Sequence, residues 1–65
     1  MKIERMDAGI IKLEITASEL GILNNALNEI CNGIDVPEFE TRIGCSLEEA
    51  AELLKTINTV LRLQP

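Results

Sequence analysis

Two cysteines, a set of asparagines and one charged pentapeptide are the residues whose types and spacing bear on chemistry in this chain. Cys45 stands next to a helix start at Ser46, and a thiol beside a helix N-terminus is more readily deprotonated and more reactive. Cys31 falls on an apolar helical stripe, where a free cysteine commonly serves as a small buried hydrophobe. Two readings of the pair stay open: incidental or buried thiols, or a thiol-based redox switch through Cys31 and Cys45. Two thiols without histidine do not make a usual structural zinc site. Asn24, Asn25 and Asn28 crowd one stretch of helix, although asparagine is a poor helix former. Asn24 and Asn28 flank the apolar stripe, so they border the core, a dimer seam or a partner. A local hydrogen bond to the loop at 35–38 is the alternative. Glu38-Phe39-Glu40-Thr41-Arg42 gathers the only aromatic residue, two acids, a hydroxyl and a guanidinium into about one turn of chain. Arg42 is suited to bidentate pairing with a carboxylate, either inside the fold or on a partner.

Catalytic chemistry is not expected. There is no histidine to act as a general base or triad member. There is no glycine-rich phosphate loop. The carboxylates are numerous, but most fall at helix starts, where capping accounts for them. No enzyme activity, cofactor or metal site is therefore read from the sequence. Eleven acidic and six basic residues give a net charge of −5. That balance repels phosphate backbones and anionic membrane surfaces, so the expected partner is another protein, and a basic one would be steered towards it. No apolar run approaches the ~20 residues that cross a bilayer. The first residues lack the apolar stretch of a signal peptide. With two cysteines, the chain reads as cytoplasmic.

The elements that must hold these residues follow from periodicity. At 65 residues there is room for one domain, 1–65. Asp7-Ala8-Gly9 is a turn signal, taken as a three-residue loop with a left-handed Gly9. That register sets Lys2 opposite Glu14 and Glu4 opposite Lys12 on one face. It sets Ile3 opposite Leu13 and Met1 opposite Ile15 on the other, with Arg5 opposite Ile11. A two-stranded hairpin is marginal alone, so the helices are expected to cover its apolar face. Its open edges also offer a second copy a place to pair.

Thr16-Ala17-Ser18-Glu19 and Ser46-Leu47-Glu48-Glu49 are capping boxes. After the first, Leu20, Leu23, Leu27, Ile30 and Cys31 recur at helical spacing. Asn32-Gly33 then ends the helix, with Gly33 suited to a left-handed position. After the second, Leu47, Ala50, Ala51, Leu54, Ile57 and Leu61 form the buried stripe, which Leu53 and Val60 widen. Between them Asp35 is read as the cap of a short helix with Pro37 in its first turn. Glu38 and Arg42 then stand four apart, in the orientation that favours an ion pair. The expected fold is α+β: an N-terminal antiparallel β-hairpin packed on two amphipathic α-helices with a short connecting helix, ββαα.

The segment from Asn24 to Gly33, Asn-Asn-Ala-Leu-Asn-Glu-Ile-Cys-Asn-Gly, is followed by Glu38-Phe39-Glu40-Thr41-Arg42-Ile43-Gly44. Together they resemble small bacterial proteins of unassigned role, some associated with the immunity proteins of polymorphic toxin systems. The resemblance spans residues 24–44 and implies a protein that neutralises a toxin by binding it. The primary functional expectation is a non-enzymatic protein-binding module, with an immunity-type inhibitor as its specific form. Asn24, Asn28, Glu38, Glu40 and Arg42 are its candidate contact residues. A small structural or regulatory homodimer and the thiol switch are the alternatives.

Overall fold

The computed structural model describes residues 1–64. Its element order is the expected one. Strands β1 (Lys2–Asp7) and β2 (Ile10–Glu14) form an antiparallel hairpin. Helix α1 (Ala17–Asn28) runs on into a π-helical turn, Glu29–Gly33. A five-residue helix α2 (Phe39–Ile43) and the long α3 (Leu47–Arg62) complete the chain.

The hairpin register is corrected near the turn. The loop has two residues, Ala8 and Gly9, both with positive φ (49° and 84°). That is the primed turn whose twist matches the strands. Asp7 pairs with Ile10, Met6 with Ile11 and Arg5 with Lys12, so the expected pairs Glu4–Lys12 and Arg5–Ile11 do not form. Beyond them Ile3–Leu13 and Lys2–Glu14 stand as expected, while Met1–Ile15 is not part of the ladder. Glu4 is the extra residue of a β-bulge between the two registers. The bulge has a clear effect. Side chains alternate between faces, so it gathers Ile3, Met6, Ile11 and Leu13 on one face. Lys2, Arg5, Lys12 and Glu14 are left on the other. Without the bulge, a two-residue turn would set Ile3 against Glu14. Arg5 lies opposite a like charge, and Asp7 on the same strand stands 3.8 Å from its guanidinium.

Both capping boxes form. The Thr16 hydroxyl accepts from the Glu19 amide at 3.1 Å, and the Glu19 carboxylate accepts from the Thr16 amide at 3.0 Å. Ser46 and Glu49 repeat the arrangement at 3.1 Å in both directions. The end of α1 differs from expectation. Gly33 is not left-handed; it closes the π turn, in which the Ile34 amide donates to the Glu29 carbonyl at 2.9 Å. A Cβ at position 33 would meet only the end of the exposed Glu29 side chain, which is free to swing aside, so the turn itself does not require glycine there. The short helix also starts later than expected. Asp35 does not cap it. Glu38, in left-handed backbone (φ 53°, ψ 48°), precedes Phe39 without a side-chain cap. Gly44 (φ 90°) ends it.

The helices pack α1 and its π turn against α3. Ala50 (1% exposed) and Leu54 (7%) are the buried centre of that contact. Leu47 and Ala51, expected to be buried, are exposed. The hairpin is not packed on the helices: the strands and helices share no extended interface, and every strand residue is exposed. A cleft of about 580 Å³, lined by Met1, Leu13, Ile15 and Glu19 among others, lies at their junction. The Met1 ammonium reaches across to the Glu19 carboxylate. The molecule is accordingly flat, 34 × 31 × 16 Å.

Candidate partner-binding surfaces

The connector carries the first surface. Left-handed backbone at Glu38 and the αL stop at Gly44 fold residues 38–44 into one helical turn that leads directly to Ser46. The Ser46 capping box then fixes where α3 begins. These two constraints bring Glu38, Glu40 and Glu48 around a cleft of about 440 Å³ whose apolar lining is Phe39 and Leu47. Glu38, Glu40 and Glu48 are exposed, and among the described residues none of them forms an ion pair. The expected Glu38–Arg42 pair is absent, and Arg42 is exposed without a carboxylate partner among the described residues. Exposure accounts for this: an i,i+4 pair stabilises a helix by only about 0.2–0.5 kcal/mol, too little to order two solvated side chains on a five-residue helix.

The asparagines occupy a different place. Asn28 ends α1 and its Oδ1 accepts from Asn32 Nδ2 at 3.0 Å. It borders a mixed groove of about 530 Å³ in which Asn32, Lys55, Asn58 and Arg62 stand beside Ala51 and Leu54. Asn24 is half-buried, and its Oδ1 is buried without a hydrogen-bond partner among the described residues. The hydrogen bond to the loop at 35–38 is not made. The candidate residues therefore do not form one site: Glu38 and Glu40 share the acidic cleft, Arg42 lines neither it nor the groove, Asn28 lies on the mixed groove and Asn24 faces inward. Glu48, Asn32 and Asn58 were not among the sequence candidates. Glu48 left no separate signal, since it lies inside the Ser46–Glu49 capping box, where a carboxylate is already accounted for by the helix start.

The third surface is apolar. Leu23, Ala26, Leu27 and Ile30 from α1 and the π turn, with Leu53 and Ile57 from α3, line a groove of about 370 Å³. Leu53 (55% exposed) lines this groove, and Val60 (48%), the other residue that widens the α3 stripe, is exposed on the same helix. The thiols belong to none of these surfaces. Cys31 sits in the π turn and Cys45 between α2 and α3; both are half-buried and free. The one displaced acidity among the described residues is at Glu19. The Met1 ammonium and then the Thr16 amide hold its carboxyl down at about 2. No helix among the described residues is long and apolar enough to cross a membrane.

Comparison with known proteins gives no match: no family model, no curated protein and no solved structure is similar to this chain.

Proposed function

We propose that this chain is a non-enzymatic protein-binding module that takes a basic partner on the acidic cleft between α2 and the start of α3. The observation that carries this reading is the cleft itself: Glu38, Glu40 and Glu48 line it with Phe39 and Leu47, and none of the three carboxylates is ion-paired among the described residues. Carboxylates beside apolar side chains are the usual anatomy of a protein contact, in which charges steer encounter and the apolar groups supply burial. Arg42 does not line the cleft, but it is exposed nearby on α2 and has no carboxylate partner among the described residues, so it adds a donor for an acid on the partner. Residues 1–15 hold as many basic as acidic side chains, so the whole −5 falls on residues 16–65. A basic partner is therefore drawn to the helical half rather than to the hairpin.

The resemblance of residues 24–44 to immunity-type proteins gives the finer form of this reading. An acidic module seated on the basic working surface of a toxin neutralises it by occlusion. The test starts with capture from the native host, identification by mass spectrometry, and titration of the purified partner by calorimetry. The expected partner is basic. The double variant Glu38→Gln/Glu40→Gln should weaken it about tenfold, and affinity should fall with added salt. Capture of no basic protein, or an affinity indifferent to both substitution and salt, would sink the reading.

A further inference from the structure

The apolar face of the hairpin and the α1–α3 groove are both open in the single chain, and their chemistry matches. Ile3, Met6, Ile11 and Leu13, on one face of the hairpin by the bulged register, are between 42% and 69% exposed. The groove is lined by aliphatic side chains alone. We infer that two copies of this chain associate reciprocally, the apolar hairpin face of each seated on the α1–α3 groove of the other.

Area supports a second copy. A folded monomer of 7.2 kDa is expected to expose about 4,100 Å². This chain exposes 5297 Å², an excess of about 1,200 Å² over that scaling. A standard interface takes about 800 Å² from each partner, and obligate homodimers take more. Covering the excess on both chains therefore falls within the homodimer range, with an apolar interface of the kind such dimers have.

Charge selects the geometry. Two helical halves approaching face to face each carry −5 and repel. The hairpin side chains sum to neutrality, and the bulged register turns their charges away from the apolar face. Hairpin-on-groove is thus the pairing that joins the two apolar surfaces without opposing like charges. The chain's own hairpin is poorly placed to cover its own groove. Only Ile15 and Thr16 separate β2 from α1, Thr16 is fixed as a cap, and Glu19 ties Met1 to the first turn. The groove runs from Leu23 towards the other end, at Ile30. Exchange between two copies obeys two-fold symmetry, since each hairpin contacts a groove and each groove a hairpin. This inference is independent of the acidic-cleft reading.

The test combines sedimentation with nuclear Overhauser measurements on a mixture of isotope-labelled and unlabelled full-length chains. The expected result is a dimer at tens of micromolar, with intermolecular contacts between the methyl groups of Met6 and Ile11 and those of Leu53 and Ile57. Ile11→Glu and, separately, Leu53→Glu should each raise the dimer dissociation constant by at least about tenfold, because each places a carboxylate in the apolar contact. Lys12→Gln, on the charged face, should leave it unchanged. A monomer overturns the inference. So does a dimer whose intermolecular contacts join strand to strand or groove to groove. The mixed-label readout holds even where a Glu variant fails to fold. A monomer that still binds a basic partner overturns this inference alone, and a dimer with no affinity for one overturns only the acidic-cleft reading.

Discussion

Single residues show where this chain stores strain and where it relieves it. Ala8 occupies the first position of the primed turn with φ 49°. A residue with a Cβ costs about 1–2 kcal/mol there, and asparagine followed by glycine is the favoured pair. Ala8→Asn should therefore stabilise the fold by about 1 kcal/mol, read as a higher denaturation midpoint. An unchanged midpoint would argue for the three-residue loop instead.

Glu19 makes a second prediction at this scale. Its carboxyl is held at about 2, against an ordinary 4.5, chiefly by the Met1 ammonium and next by the Thr16 amide. A lowered folded pKa contributes stability that is present above the unfolded value and lost as pH falls through the folded one. The contribution of this carboxylate is therefore complete above about pH 4.5 and fades towards pH 2. Glu19→Gln keeps the capping-box shape without the charge. The stability gap between the native chain and this variant should close over that window. A gap constant from pH 6 to pH 2 would show that Glu19 holds no such pairing. The site residues are less legible one by one. The sequence singled out Glu38 and Glu40 but not Glu48, because the two segments meet only when Gly44 turns the chain. It also expected Arg42 to pair with Glu38, a bond too weak to persist on a helix of five residues.

Elements were legible where the signal was local. A hydroxyl followed three residues later by glutamate marked the starts of α1 and α3, and both capping boxes form. The same locality makes Gly21 a clean test. It lies inside α1, and a Cβ there meets nothing within 4 Å. Gly21→Ala should raise stability by about 1 kcal/mol through helix propensity alone, measured by denaturant titration. Destabilisation would mean that another surface comes close to Gly21. Elements were misread where two local solutions compete. Asp7-Ala8-Gly9 satisfies a two-residue or a three-residue turn, and the bulge at Glu4 makes the shorter one compatible with an apolar face. The π turn at Glu29–Gly33 and the late start of α2 were missed for other reasons. A π turn inserts one residue into a helical stripe, and a five-residue helix is too short to show a period.

At the scale of the whole molecule the chain is wider than its length requires. Its radius of gyration is 13.2 Å, against about 10.7 Å for a folded chain of this size. Among the described residues Ala50 and Leu54 make up the buried core, and exposed aliphatic side chains far outnumber them. A core that small supplies little stability alone, and the dimer proposed above would add to it. Its unfolding midpoint should therefore rise with protein concentration, by about 5 °C for each tenfold increase, as mass action requires of a folded dimer. A midpoint independent of concentration would point to a chain that holds its hairpin open unaided.

The sequence by itself determined the order of elements, both long-helix starts, the alternation of the hairpin and the placement of charge on the helical half. These are properties of neighbours within about four residues, where capping, turn and periodic preferences act directly. Only the tertiary structure decided the bulged register, the cleft that joins Glu38 and Glu40 to Glu48, and the orphaned Asn24 oxygen. It also decided that the hairpin stands clear of the helices. Those outcomes depend on how apolar area is shared between distant segments. Where so little of the helical surface is buried, that sharing is settled by packing that no local pattern records.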